Sequence, residues 1–318
     1  MKGDGNIEYW LGRVERQVKA SGDLSEIYSN GHDSRPLPLT GKMVRSRLLL
    51  MVADLLGVLG DHAAELAAGI EMIHNASLIH DDVVDQVDLR RGQNALYKTD
   101  GNRFAIMAGD VCFAKAMELI CRTDHLRIYQ AVARSVVDLA VGQLTEWARN
   151  GDQEVSFEQY FSVIDKKTGS LIVLCLELPG ILARLPEDAL ERLRSAGRLL
   201  GRAFQVADDL LDLDDGQGCT GKDAFSDLAE GKLTYPYLVL FNSENEQVRS
   251  LVRQALGHLN FPAAILRQAV YENGLLDNVR DFLTECIDQS KVILRPLFGI
   301  EHAQGLFQYF EKLAFRSR

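Results

Sequence analysis

AAELAAGIEMIHNASLIHDDVVD, residues 63–85, steps its apolar side chains along one helix face and ends in three aspartates within five positions. Leu66, Ile70, Ile73 and Ser77 or Leu78 recur at helical spacing, which predicts an amphipathic helix more than twenty residues long. The pattern returns in ALERLRSAGRLLGRAFQVADDLLDLDD, residues 189–215, through Leu193, Leu200, Phe204, Ala207 and Leu211. There the second aspartate cluster begins at Asp208, 127 positions after Asp81. Two long core helices are therefore expected, each carrying an acidic cluster at its C-terminal end.

That position is unfavourable for bare carboxylates. On a helix Asp81 and Asp85 lie one turn apart on the same face, with Asp82 offset by about 100°. Like charges at i and i+4 cost a few tenths of a kcal/mol, and acids at a helix C-terminus oppose the macrodipole. A solvated helix end explains one such cluster; two copies point to a compensating cation. Clustered carboxylate oxygens suit Mg²⁺, which keeps waters and completes its shell with substrate phosphates. No His/Cys constellation competes for a softer metal. A di-iron bundle requires Glu-x-x-His pairs on core helices, and the aspartate motifs contain none.

Basic residues stand where phosphate would need them. Arg90 and Arg91 follow the first cluster, and Lys222 and Lys232 follow the second. Lys42 and Arg45 lie in TGKMVR, and Lys166 and Lys167 in IDKKTGS. Arginine forks and lysine point charges around metal-bridged phosphate make one consistent chemistry.

The remainder of the 318 residues agrees with an all-α, single-domain bundle of long helices. No proline falls between Leu39 and Leu178, a stretch rich in Ala, Leu, Met, Glu and Arg, and no linker divides the chain. Nothing alternates with period two for long enough to require a sheet. Residues 1–34 read as an N-terminal helical extension. Loops are expected at 31–41, at RRGQN (90–94), at 148–154 and at 214–223, the second and fourth giving flexible polar backbone beside the acids. The net charge of −10 argues against nucleic acid. Five cysteines without CxxC spacing read as thiols in a reducing compartment. MKGDGNIEYW has no apolar signal core, and no window of 18 uncharged apolar residues occurs. A cytoplasmic protein without a membrane span is expected.

Several separated segments, in order, resemble the trans-isoprenyl diphosphate synthases, the head-to-tail polyprenyl synthases that include farnesyl and geranylgeranyl diphosphate synthases. The resemblance covers residues 35 to 318. DDVVD with RRG is similar to the first aspartate-rich motif, IDKKTGSL to the Lys-Thr motif, FQVADDLLD to the second aspartate-rich motif, and GKDAFSDLAEGKLTYP to the segment after it.

The resemblance implies an isoprenoid synthase fold, a bundle of long helices around a deep central cavity, and about three Mg²⁺ held by Asp81, Asp82, Asp85, Asp208, Asp209 and Asp212. These would grip the diphosphate of an allylic prenyl primer with Arg90, Lys167, Lys222 and Lys232. Isopentenyl diphosphate would bind through Lys42, Arg45, His74 and Arg91. Ionisation, condensation and elimination would follow, with Thr168 and Gln205 steadying the allylic cation and the departing diphosphate removing the final proton. A homodimer is implied as well.

The chain departs from the family's G-G-K-R-x-R-P, which reads T-G-K-M-V-R-S here, and Asn94 replaces a proline often found after RRG. Lys42 and Arg45 keep their spacing, so the isopentenyl contact is expected to survive. Ala76 and Ser77, five and four positions before the first motif, are small. An aromatic ring at Ala76 would block the growing tail about 7.5 Å below the motif, so products longer than fifteen carbons are expected. Ile73, Ile70 and Phe113 are alternative floors. The competing functions are a class I terpene cyclase and a non-catalytic subunit of a heteromeric synthase. Both intact aspartate motifs and the isopentenyl set weigh against them.

Overall fold

The computed structural model describes residues 4–23, 37, 39, 41–152, 154–213, 225–258, 261–272 and 274–315. Among them are fifteen helices and one two-stranded hairpin, so the all-α expectation holds. Of the sequence-predicted loops, 214–223 lies outside the described residues, as does 31–41 apart from positions 37, 39 and 41. The chain forms two compact units, Met1–Ala133 with Leu174–Leu193, and Arg134–Val173 with Arg194–Arg318.

In the first unit α3 (Asp61–Val84) packs against α1 (Asp4–Ser21), α2 (Val44–Leu55) and α5 (Asn102–Cys121). It reaches that position because its Ala, Leu, Ile and Met side chains are buried nearly all round, from Ala63 and Leu66 to Ile73 and Ala76. Glycine brings α3 and α5 close at two levels. A Cβ on Gly69 would lie 2.7 Å from Ile120, and one on Gly109 would lie 2.2 Å from the His80 ring. α3 ends at Val84 with Asp85 as its C-cap, where the sequence places the first acidic cluster.

RRGQN is not the flexible loop expected. Leu89–Arg90 (β1) pairs antiparallel with Gln93–Asn94 (β2), Leu89 opposite Asn94 and Arg90 opposite Gln93. Arg91 (φ 54°) and Gly92 (φ 76°) form the two-residue turn. Positive φ at both central positions is what a twisted two-residue hairpin needs, and glycine adopts it without strain. The hairpin leads into α4 (Leu96–Asp100), and α6 (Leu126–Ala148) begins in this unit.

The second unit holds most of α6, α7 (Phe157–Lys167), the start of α8 (Gly169–Leu182) and the later part of α9 (Glu187–Leu211). It continues through α10 (Ser226–Ala229), α11 (Tyr235–Phe241), α12 (Glu246–Ala255), α13 (Ala263–Glu272), α14 (Leu275–Phe298) and α15 (Gln304–Ala314). Ser156 and Gln159 close a capping box at the start of α7. That helix is then pinned by rings: Phe161 stacks on Phe282 at 5.3 Å, and Tyr235 meets Phe282 at 4.7 Å. Arg202 of α9 lies over Phe161 and forks onto Asp165 with bonds of 2.8 and 2.6 Å. The second acidic cluster starts on the last turn of α9 and runs past its end, as predicted.

Candidate active site

The first unit gathers the residues expected for isopentenyl diphosphate. Arg45 is buried at the start of α2, and His74 lies on α3. Burial first, and then the charges of Arg45, Arg91 and Arg90, lower the His74 pKa well below its ordinary 6.5, so the imidazole is neutral. Arg91 Nη2 donates to Asn75 Oδ1 at 3.4 Å, and its guanidinium lies against Gly41, where a Cβ would sit 2.7 Å away. Asn75 in turn donates to the Leu39 carbonyl at 3.0 Å. Lys42 is exposed.

Under these cations is a carboxylate that the sequence reading passed over. Glu71 is buried and accepts from the Ser46 hydroxyl at 3.1 Å; Ser46 also meets the Ala67 carbonyl at 3.2 Å. Burial raises the Glu71 pKa while Arg45 and Ser46 pull it down. Glu71 and His74 do form a Glu-x-x-His spacing, outside the aspartate motifs, and the sequence holds no second one. A di-iron site needs two. The Ser46 departure from the family pattern thus places a buried donor against the counter-charge of the arginine cluster.

At the first aspartate motif, Asp82 is buried and Arg90 clamps it through Nε at 2.8 Å and through Nη2. Asp81 is half-buried and Asp85 exposed. Arg90 therefore engages the motif itself. Ala76 is buried, while the Ser77 hydroxyl turns back to the His74 carbonyl at 2.9 Å. Ile70 and Ile73 are fully buried and Phe113 is half-buried.

The second unit assembles its motif differently. Asp209 is buried and accepts from Tyr160 Oη at 2.5 Å, Gln205 Nε2 at 2.9 Å and the Tyr235 N–H at 3.1 Å. Burial pushes its pKa up to about 7 against those hydrogen bonds. Asp212 accepts from Ser226, the Asp227 N–H and Tyr237. Asp208 is half-buried. Thr168 Oγ1 donates to Gln205 Oε1 at 2.6 Å, so the two groups expected to steady a cation form a relay to Asp209. Lys167 pairs with Glu146, and Lys232 with Glu230 at 2.9 Å. Lys222 lies outside the described residues.

A cavity of ≈ 80 Å³ opens beside Gln205, Asp209 and Lys232. Arg149 and Thr234 line it, each with a buried polar atom lacking a hydrogen-bond partner.

Tyr160, Tyr235, Tyr237, Ser226, Asp227 and Glu146 were not singled out from sequence. One signal was available: Tyr160, Ile164 and Lys167 share a face of α7, which aligns a tyrosine with the Lys-Thr motif.

The donor set fits magnesium in kind. Asp85 is exposed and Asp81 and Asp208 are half-buried, and carboxylate oxygen is the donor that Mg²⁺ takes, one or two at a time. Among the described residues no three acids, histidines or cysteines are grouped to hold a metal by themselves.

Acidic clusters ending two long helices, with cations close to each in an all-helical chain, define the class of the helical isoprenoid synthases. The family model described as polyprenyl synthetase matches residues 35–272, and the chain belongs to this family. It is 32% identical over 262 residues to octaprenyl diphosphate synthase of Escherichia coli (strain K12), covering 81% of this chain and 80% of that protein. The octaprenyl diphosphate synthase of Haemophilus influenzae is 35% identical over 216 residues, 68% of this chain and 66% of that one. A solved polyprenyl synthase from Caulobacter crescentus CB15, complexed with calcium and isoprenyl diphosphate, superimposes with a TM-score of 0.84. It has 29% identity and covers 98% of this chain and 96% of its own.

Proposed function

We propose that this chain is a trans-polyprenyl diphosphate synthase that condenses isopentenyl diphosphate head-to-tail onto an allylic diphosphate. The observation that carries this reading is the pairing of a cluster of Arg91, buried Arg45 and half-buried His74 in one unit with two aspartate motifs on long helices. A terpene cyclase has no use for the first, and its usual second metal site is not DDLLD.

Isopentenyl diphosphate is taken by Lys42, Arg45 and Arg91, with neutral His74 as a polar partner. Asp81, Asp85 and Asp208 hold magnesium, which when bound stabilises negative charge on the diphosphate leaving group. The complex of the Caulobacter protein with calcium and isoprenyl diphosphate supports metal use of this kind. Arg90, Lys167, Lys232 and Lys222 supply positive charge for the allylic diphosphate. Thr168 retains oxygen lone pairs toward an allylic cation, while the Gln205 carbonyl already accepts from Thr168 and acts through orientation. Loss of the proton that ends each cycle falls to the released diphosphate, so no protein base is assigned.

Products exceed fifteen carbons. The octaprenyl names of the bacterial relatives and the small Ala76 support this. Ala76→Phe is expected to shorten the product by one or more isoprene units, read by mass analysis; identical chain lengths would exclude Ala76 as the floor.

The enzyme works as a homodimer through α6, where Val137, Val141, Leu144 and Trp147 are exposed along one side. Leu144→Glu should convert the dimer to a monomer in light scattering. No described helix is long and apolar enough to cross a membrane, and Cys112, Cys121, Cys175 and Cys286 are free thiols, which supports a cytoplasmic setting.

The deciding assay incubates the purified chain with Mg²⁺, isopentenyl diphosphate and allylic primers of increasing length. Elongated prenyl diphosphates support the synthase, hydrocarbons the cyclase, and absence of turnover a subunit role.

A further inference from the structure

Asp212, the last aspartate of DDLLD, has both carboxylate oxygens occupied. Oδ1 accepts from Ser226 Oγ at 2.7 Å and the Asp227 N–H at 3.2 Å; Oδ2 accepts from the same N–H at 3.2 Å and Tyr237 Oη at 2.5 Å. A carboxylate offers about four lone-pair sites, and three donors meet them, the Asp227 N–H shared between both oxygens. The Asp212 backbone carbonyl also takes the Phe225 N–H at 2.7 Å. Every one of these donors lies in residues 225–237, and the same segment closes on Asp209 through the Tyr235 N–H. Lys232 stands between the two attachments, its N–H bonded to the Asp227 carbonyl at 2.8 Å.

We infer that Asp212 is an anchor for the Lys232-bearing segment and not a metal ligand, and that Tyr237 and Ser226 are the positioning residues that fasten it. Tyr237 is fully buried, so its hydroxyl must find an acceptor inside the protein, and Asp212 is that acceptor. Burial and the Asp212 charge hold this phenol protonated, as a donor must be. A magnesium ion could reach Asp212 only by displacing Ser226, Asp227 or Tyr237, and with them the segment that carries a cation for the allylic diphosphate. The inference rests on the proposed reaction for the role of Lys232, but the anchor itself does not.

The test compares Tyr237→Phe, Ser226→Ala, Asp212→Asn and the Tyr237→Phe/Asp212→Asn double variant. The first readout is the Tm of the metal-free protein, where a metal ligand has nothing to bind. Tyr237→Phe and Asp212→Asn should each lower it by about 2–4 °C, and the double variant should fall no further than the worse single one.

The second readout is kinetic. KM for the allylic primer should rise about fivefold in Tyr237→Phe. KM for isopentenyl diphosphate and the Mg²⁺ concentration for half-maximal rate should stay within about twofold of wild type, as a loss near 1 kcal/mol at one subsite implies. Additive Tm losses, an unchanged metal-free Tm, or a tenfold higher Mg²⁺ requirement in Asp212→Asn would overturn the anchor. A lowered Tm with both KM values unmoved would overturn the positioning role. Should Asp212→Asn fail to fold, Tyr237→Phe and Ser226→Ala each remove one hydroxyl and carry the same readouts. Wild-type turnover tests the proposed reaction separately, and the metal-free Tm coupling is read whether or not prenyl transfer occurs.

Discussion

The two aspartate motifs share the DDxxD pattern and differ in how firmly their own fold engages them. In DDVVD the guanidinium of Arg90 clamps the buried Asp82, while Asp85 is exposed. In DDLLD Asp209 accepts from Tyr160, Gln205 and Tyr235, and Asp212 from Ser226, Asp227 and Tyr237. Where the first motif keeps charge near solvent, the second binds its own fold together. A repeated sequence motif is therefore not a repeated site: the neighbours decide which carboxylates remain for a ligand.

The largest effect that separates the two is catalytic. Asp81→Asn and Asp208→Asn should each lower kcat/KM by about 10²–10³-fold, the size seen when one group stabilising developing charge is lost. Their metal-free Tm should change less than that of a variant at the buried Asp209. Asp209→Asn should lower Tm as well as activity, because Tyr160 and the Tyr235 N–H lose a shared acceptor. Equal Tm for the Asp208 and Asp209 variants would erase the distinction between ligand and fastener.

Next in size come the clamps. Arg90→Gln leaves Asp82 buried without its cation and should cost about 2 kcal/mol in urea unfolding. Tyr160→Phe removes one hydroxyl from a carboxylate that retains two other donors, and about 1 kcal/mol is expected. The reverse order would mean that the first motif, not the second, is the better secured.

Much of this was legible before any coordinates. The length of α3 and α9 and the acids at their ends follow from apolar spacing, and Lys167, Asp209 and Arg45 were named from motifs. What escaped was non-local. Tyr237 meets Asp212 across 25 positions and Ser46 meets Glu71 across 25, and no periodicity links such pairs. RRGQN was misjudged for a different reason: its polarity signals a loop, but Arg91-Gly92 also satisfies the positive-φ demand of a two-residue hairpin turn. Polar composition alone does not separate a slack loop from a tight one.

The smallest expected effect is also the one in which the two units disagree in sign. His74 in the first unit has its pKa lowered by burial and then by Arg45, Arg91 and Arg90. Below pH 6.5 the unfolded chain takes up a proton there that the folded one refuses. Stability from this group is complete above pH 6.5 and is lost as pH falls through that value. Asp209 in the second unit is raised by burial to about 7, so the folded protein holds a proton that the unfolded chain has released. Its contribution is complete below the ordinary 3.8 and is lost as pH rises through about 7. Between pH 8 and 6.5 each amounts to less than about 1 kcal/mol, and the two oppose each other. The metal-free wild type should therefore be nearly flat in Tm over this range. His74→Gln should gain stability toward pH 6.5, and Asp209→Asn should lose it. Two variant curves that run parallel to the wild type would show that neither group titrates as its surroundings dictate.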